Sequence, residues 1–219
     1  MALVITLGVL ASGSGTNFQA ILDAVAAGRL DARVAVLVCN TPGAGAIERA
    51  RRAGVEGVVL DHRAHASRAA FDAAVVDVLR ARGVELVVLA GFMRLLTDVM
   101  LDAYPMRVVN IHPALLPSFP GTHAQKQALA YGVRVTGCTV HLVDRGTDTG
   151  PIVAQAAVAV GDDDDEESLR TRILAREHEL LPRALQWFAE GRVTIEQAPG
   201  QRPRVRVRGA GPAPGVVEG

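Results

Sequence analysis

"LVITLGVLASGSGTNFQAILDAVAAG" (Leu3–Gly28) decides the architecture. Its first eight residues are nearly all apolar, the pattern of a strand buried on both faces. Gly13 and Gly15 then allow a tight turn. "NFQAILDAVAAG" follows as a helical pattern and ends at Gly28, a residue suited to a helix C-terminus. Strand, glycine turn and helix together open a βαβ unit.

The same alternation continues outward. "VAVLVC" (Val34–Cys39), "GVVL" (Gly57–Leu60), "LVVLA" (Leu86–Ala90) and "VVNI" (Val108–Ile111) are further apolar runs. Between them, "AIERARRAG" ends at Gly54, and "SRAAFDAAVVDVLRARG" starts from a Ser67 N-cap and ends at Gly83. The pattern changes after His112. "GCTVHLVD" and "GPIVAQAAVAV", joined by "RGTDTG", predict a hairpin or two neighbouring strands. The acidic run Asp162–Glu167 precedes a long helix expected over Ser168–Glu190, where it favours the helix dipole rather than a cation. "RVTIE" predicts a short last strand. The expectation is an α/β fold with a doubly wound, mostly parallel central sheet of about seven strands and helices on both faces. It forms one domain over 1–197, and the Pro/Gly/Arg-rich stretch 198–219 reads as a loose tail.

Composition narrows the functional classes. A hydrophobic share of 49% over 219 residues is enough for a large core in one domain. With 23 basic and 23 acidic residues there is no overall basic field, so no nucleic-acid partner is expected. No apolar run approaches the roughly 20 residues of a membrane span, and "MALVITLGVL" lacks the basic start of a signal peptide. Cys39 and Cys138 fall in strand runs and read as reduced, buried thiols of a cytoplasmic protein. No metal is expected: the cysteines join no ligand cluster, and His62-Arg63-Ala64-His65 has no third ligand nearby. The expected partners are small-molecule substrates, with a homodimer left open.

The loop "LASGSGTNFQAIL" suits a phosphate. Its glycines allow close backbone approach, Ser14, Thr16 and Asn17 add donors, and the helix start supplies free N–H groups. Phe18 stands where a dinucleotide fingerprint needs a small residue, and Asn40 where it wants an acid. There is no Gly-Lys-Ser/Thr either, so a phosphomonoester fits better than NAD or ATP.

"VVNIHPALLPSFPGTH" (Val108–His123) carries the second constellation. Period-two alternation puts Asn110 and His112 on one side of a strand, at the C-terminal end where open α/β sheets bind ligands. Pro113 cannot continue the ladder, and Pro117 and Pro120 stiffen the loop that leaves. An amide and a protonated imidazole side by side can hold a developing oxyanion. The imidazole then needs a carboxylate, for which Asp148 in "GTDTGP" leads and Asp144 is the rival.

These motifs resemble phosphoribosylglycinamide formyltransferase, a folate-dependent family of purine biosynthesis. "SGSGTN", "LAGFMRLL", "NIHPALLPSFPGTHAQKQAL", "GCTVHLVD", "DTGPIVAQ" and "EHELLP" occur in family order over about residues 1–195. The resemblance implies a Rossmann-like formyltransferase fold, with the N-terminal part binding the ribonucleotide and the C-terminal part serving folate and catalysis. It implies 10-formyltetrahydrofolate as co-substrate. It places catalysis on Asn110, His112 and Asp148, the ribonucleotide phosphate on Gly15, Thr16 and Asn17, and its sugar on Glu177. Folate contacts fall on Arg68, Met93, Arg94, Leu95, Leu96, Asn110, His141 and Asp144. The loop after Gly121 departs from many relatives in having His123 but Gln125, and the arginine-rich tail has no assigned counterpart. A formyltetrahydrofolate hydrolase and a methionyl-tRNA formyltransferase are the rivals in the same chemistry. Each usually carries an extra domain for which 219 residues leave no room. A non-catalytic nucleotide-binding module is the rival of another class, and it gives no reason for Asn110, His112 and Asp148.

Overall fold

A computed structural model describes residues 4–209 of the chain. Strands β1 (Ile5–Ala11), β2 (Ala32–Cys39), β3 (Gly57–Val59), β4 (Leu86–Leu89) and β5 (Val108–His112) are joined through helices. These are α1 (Thr16–Ala26), α2 (Gly45–Arg52), α3 (Arg68–Arg80) and α4 (Asp98–Ala103). After β5 come α5 (Ala124–Tyr131), β6 (Val135–Leu142), β7 (Ile152–Ala159) and the long α6 (Glu166–Ala189). The seven strands form one sheet in the order β3-β2-β1-β4-β5-β6-β7. All pairs through β4–β5 are parallel; β5–β6 and β6–β7 are antiparallel. This is the mostly parallel α/β sheet expected.

The apolar runs become strands because both sheet faces are covered. On one face Leu7, Val9, Leu86, Val88 and Val109 pack with Phe18 and Ile21 of α1 and Leu181 and Leu185 of α6. On the other, Leu10, Val36, Val38, Val87 and Val108 pack with Phe71, Val75 and Leu79 of α3 and Met100 of α4. Strand order reverses between β1 and β4, which opens a crevice at their C-terminal ends. The glycine loop, the segment after β4 and the end of β5 all face that region.

The boundaries follow local chemistry. The Ser67 hydroxyl accepts the Ala70 N–H at the start of α3. Asp165 caps α6 in a reciprocal box with Ser168, so the acidic run serves the helix start as expected. α4 and α5 arise where no clear apolar periodicity marks a helix. α5 starts on His123 in a left-handed conformation without a side-chain cap.

The expectation of a loose tail from Ala198 is corrected through residue 209. Val193–Glu196 (β8) pairs antiparallel with Arg204–Val207 (β9) as a separate two-stranded sheet. Val205 and Val207 rest against the core on the α6 side, which gives the alternating "RVRV" a buried edge. The rest of the expected tail, 210–219, lies outside the described residues.

Candidate active site

Asn110 and His112 stand on one face of β5, and the antiparallel register sets His141 directly opposite Asn110. His112 Nε2 lies 2.8 Å from the Phe119 carbonyl, and Nδ1 lies 3.4 Å from Asp148 Oδ2. Both neighbours are acceptors, so only the doubly protonated ring can donate to each. Asp148 has a positive φ of 54° and also accepts the Gly121 N–H at 2.8 Å. The structure therefore brings Asn110, His112 and Asp148 together, and Asp148, not Asp144, is the carboxylate on His112.

It also refines how His112 can act. With Phe119 O and Asp148 facing its two nitrogens, even the doubly protonated ring has no spare N–H; direct donation from Nε2 needs the Phe119 carbonyl to give way. Asn110 is the freer donor. One Nδ2–H faces His141 Nε2 at 3.0 Å, leaving the other.

His141 is not placed as a direct folate contact. Its ring is buried, and Nδ1 donates to Leu142 O at 3.0 Å. Burial pulls its pKa below the ordinary histidine value, with the nearby Asp148 charge opposing. A neutral ring with Nδ1–H leaves Nε2 as the acceptor that fixes the orientation of the Asn110 amide. Asp144 is likewise a brace. Its Oδ1 accepts from Gly146 N at 3.0 Å and Thr149 Oγ1 at 2.6 Å, closing the loop that carries Asp148.

At the glycine loop, Gly15 caps α1 with φ 72°, and a Cβ there would lie 2.8 Å from Ala46 Cα. Glycine is thus required for conformation and for space. No side chain caps α1 and no acidic residue stands in its first turn, so the N–H groups of its first turn are available to an anion. The Asn17 side chain is used differently: Nδ2 donates to Glu177 Oε2 at 2.7 Å in a buried pair from α6. Burial pushes the Glu177 carboxyl up to about 7 from its ordinary 4.5, against the Asn17 hydrogen bond. Asn17 Oδ1 is buried with no partner among the described residues, an acceptor left for a ligand hydroxyl.

The segment after β4 is irregular, not the start of a helix. Met93 and Leu95 are exposed, an apolar surface beside the crevice, while Leu96 rests on the core. Arg94 lies over the Phe71 ring of α3, 5.2 Å from its centroid, and Arg68 opens the same helix in solvent. Both guanidinium groups therefore belong to one end of α3. Three contributors went unread in the sequence. Ser12 Oγ accepts the Met93 N–H at 2.8 Å and donates to Asn40 at 2.6 Å, tying two walls of the crevice. Thr139 Oγ1 donates to Ala114 O at 2.6 Å and accepts from Leu116 N at 3.0 Å, anchoring the loop after His112. Arg49 of α2 reaches the glycine loop. Ser12 and Thr139 lie within the quoted motifs "SGSGTN" and "GCTVHLVD" and Arg49 within none, but their partners are distant in the chain, and only the fold supplies the proximity. Among the described residues, no group of three or more His, Cys, Asp or Glu side chains is placed to hold a metal ion.

Residues 6–185 match the formyl transferase family. The Bacillus subtilis phosphoribosylglycinamide formyltransferase is 45% identical over 80% of this chain and 89% of its own length. The chain is 46% identical, over 86% of its length, to the Drosophila melanogaster trifunctional purine biosynthetic protein adenosine-3, but spans 14% of that longer protein. The crystal structure of glycinamide ribonucleotide transformylase 1 from Symbiobacterium toebii superposes with a TM-score of 0.90 at 55% identity, covering 94% of this chain and 95% of that one. The chain belongs to the formyl transferase family.

Proposed function

We propose that this formyl transferase moves the formyl group of 10-formyltetrahydrofolate to the amine of glycinamide ribonucleotide. The products are formylglycinamide ribonucleotide and tetrahydrofolate, in de novo purine biosynthesis. The observation that carries this is the 3.4 Å approach of Asp148 to His112, beside Asn110 on the same strand face. A nucleotide-binding module has no use for that arrangement.

The neutral amine attacks the formyl carbon, and the carbonyl oxygen gains negative charge. The free Nδ2–H of Asn110 is the donor for that oxygen, and the adjacent imidazolium of His112 stabilises it electrostatically. Asp148 orients His112 through Nδ1. It also stands where, through a water, it can help pass the amine proton to the departing N10 of the folate. The backbone N–H groups of Gly15, Thr16 and Asn17 receive the substrate phosphate. Glu177, with the unpartnered Asn17 Oδ1 beside it, receives the sugar hydroxyls. Met93, Leu95 and Leu96 offer the apolar slot for the folate ring, with Arg68 and Arg94 at its edge.

Cytoplasmic placement agrees with two buried free thiols. Burial pushes both up, Cys138 to about 12, so neither is a ready thiolate. No helix among the described residues is long and apolar enough to cross a membrane.

The test is tetrahydrofolate release from 10-formyltetrahydrofolate with and without glycinamide ribonucleotide. Release that requires the ribonucleotide is expected. Equal release without it makes the protein a hydrolase, and none in either case makes it a binding module.

A further inference from the structure

α2 carries three arginines near its end, and they differ in what they face. Arg51 and Arg52 are paired with Glu48 on their own helix. Arg49 is half-buried, has no carboxylate within ion-pairing distance among the described residues, and turns to the glycine loop. Its Nε donates to Ser14 O at 2.8 Å and its Nη1 to Gln19 Oε1 at 3.1 Å. One turn earlier, Ala46 N–H donates to Gly13 O at 3.1 Å.

Two successive loop carbonyls are therefore tied to α2. In a trans peptide the carbonyl and the following N–H point in opposite directions, so the N–H groups of Ser14 and Gly15 are turned away from α2. The close fit reinforces this: a Cβ on Gly45 would lie 3.2 Å from Ser14 O, and one on Gly15 2.8 Å from Ala46 Cα. A cation on the carbonyl end of a peptide also polarises it and strengthens its N–H as a donor. No acidic residue in the first turn of α1 offsets that field.

We propose that Arg49 is a positioning residue for the substrate phosphate. It fixes the Ser14–Gly15 peptide with its N–H outward, and it places an unpaired positive charge behind the loop that receives the anion. It acts through the loop, without touching the ligand, and the proposal rests on the phosphate role given to that loop above. Arginine suits the task because its planar fork serves the carbonyl and Gln19 together; lysine keeps the charge but not both bonds.

The experiment compares wild type, Arg49→Gln and Arg49→Lys with glycinamide ribonucleotide and with the unphosphorylated glycinamide riboside. Thermal melting reports whether each variant is folded. For Arg49→Gln, KM for the ribonucleotide rises about tenfold while kcat changes by less than about twofold, the pattern of lost uniform binding. Its kcat/KM for the riboside and its KM for the folate stay at wild-type values. Arg49→Lys raises the ribonucleotide KM by only about threefold, since the charge remains. The salt dependence of that KM weakens in Arg49→Gln and persists in Arg49→Lys. An unchanged ribonucleotide KM in Arg49→Gln overturns the proposal. So does an equal loss on ribonucleotide and riboside, which marks general damage to the loop. If Arg49→Gln melts as unfolded, Arg49→Lys decides by the same two substrates. A wild type that does not distinguish ribonucleotide from riboside sinks the phosphate role of the loop itself, whatever Arg49 does.

Discussion

Glu177→Gln should make the protein more stable at alkaline pH and leave it unchanged at acid pH. Glu177 is 6% exposed, and burial pushes its carboxyl up to about 7. In the unfolded chain the same group ionises near its ordinary 4.5. Between these values the unfolded state gives up the proton first, so rising pH favours unfolding. The loss begins above about 4.5, grows to about 7 and is then constant. At 1.36 kcal/mol per pH unit, that window sets a ceiling of about 3 kcal/mol. For a chain of this size, that corresponds to a melting temperature lower by roughly 6–12 °C. Glutamine has no proton to release, keeps an oxygen for the Asn17 N–H at similar volume, and is most nearly matched by the protonated glutamic acid at the acid end of the range. The assay is thermal unfolding of both proteins from pH 5 to 8 at constant ionic strength. Other groups titrate in both proteins, so the difference isolates Glu177. A difference that is flat across the range, or largest at pH 5, refutes the reasoning.

Four further outcomes follow from the site. His112→Ala and Asp148→Asn should each lower kcat by about 10²–10⁴-fold, the range for lost charge stabilisation and proton handling, with melting temperature little changed. Steady-state assays check this, and near-wild-type turnover in either variant removes both residues from the mechanism. His141→Phe should lower kcat by about tenfold with KM values preserved, because it frees the Asn110 amide to turn away; an effect on KM alone would make His141 a binding residue after all. Gly15→Ala should destabilise by about 1–3 kcal/mol from the left-handed conformation and the contact with Ala46, read by chemical denaturation. Asn17→Ala should raise KM for the ribonucleotide more than for the folate, tested by varying each substrate at saturation of the other.

The parallel half of the sheet was legible because its central strands β1, β4 and β5 are buried on both faces, which leaves no polar alternation to confuse the apolar runs. The capped helix start at Ser67 was legible for the opposite reason, a polar residue where the backbone needs one; α6, expected from Ser168, starts at Glu166 because Asp165 and Ser168 cap it reciprocally. α4, at six residues, is too short for a period to emerge, and α5 starts on His123 with no side-chain cap to mark it. β9 was missed through its composition: Pro, Gly and Arg read as a tail, while Val205 and Val207 alternate as a half-buried strand does.

The grouping of Asn110, His112 and Asp148 lies between these cases. Alternation alone puts Asn110 and His112 side by side, and Pro113 ends the strand where it must. The third member is different. β6 pairs Leu142 with Val109, so the β6–β7 loop leaves near the start of β5, and Asp148 must return along the sheet to reach His112. Two features make that return possible: the Asp144 brace inside the loop and the Gly121 N–H that takes Asp148 from the other side. Gly121 belongs to the loop that the three prolines redirect after β5. The strand's abrupt end therefore does more than clear space for a substrate; it brings round the backbone that holds the carboxylate in place. That dependence crosses two loops, 27 residues apart, and no spacing along the chain expresses it.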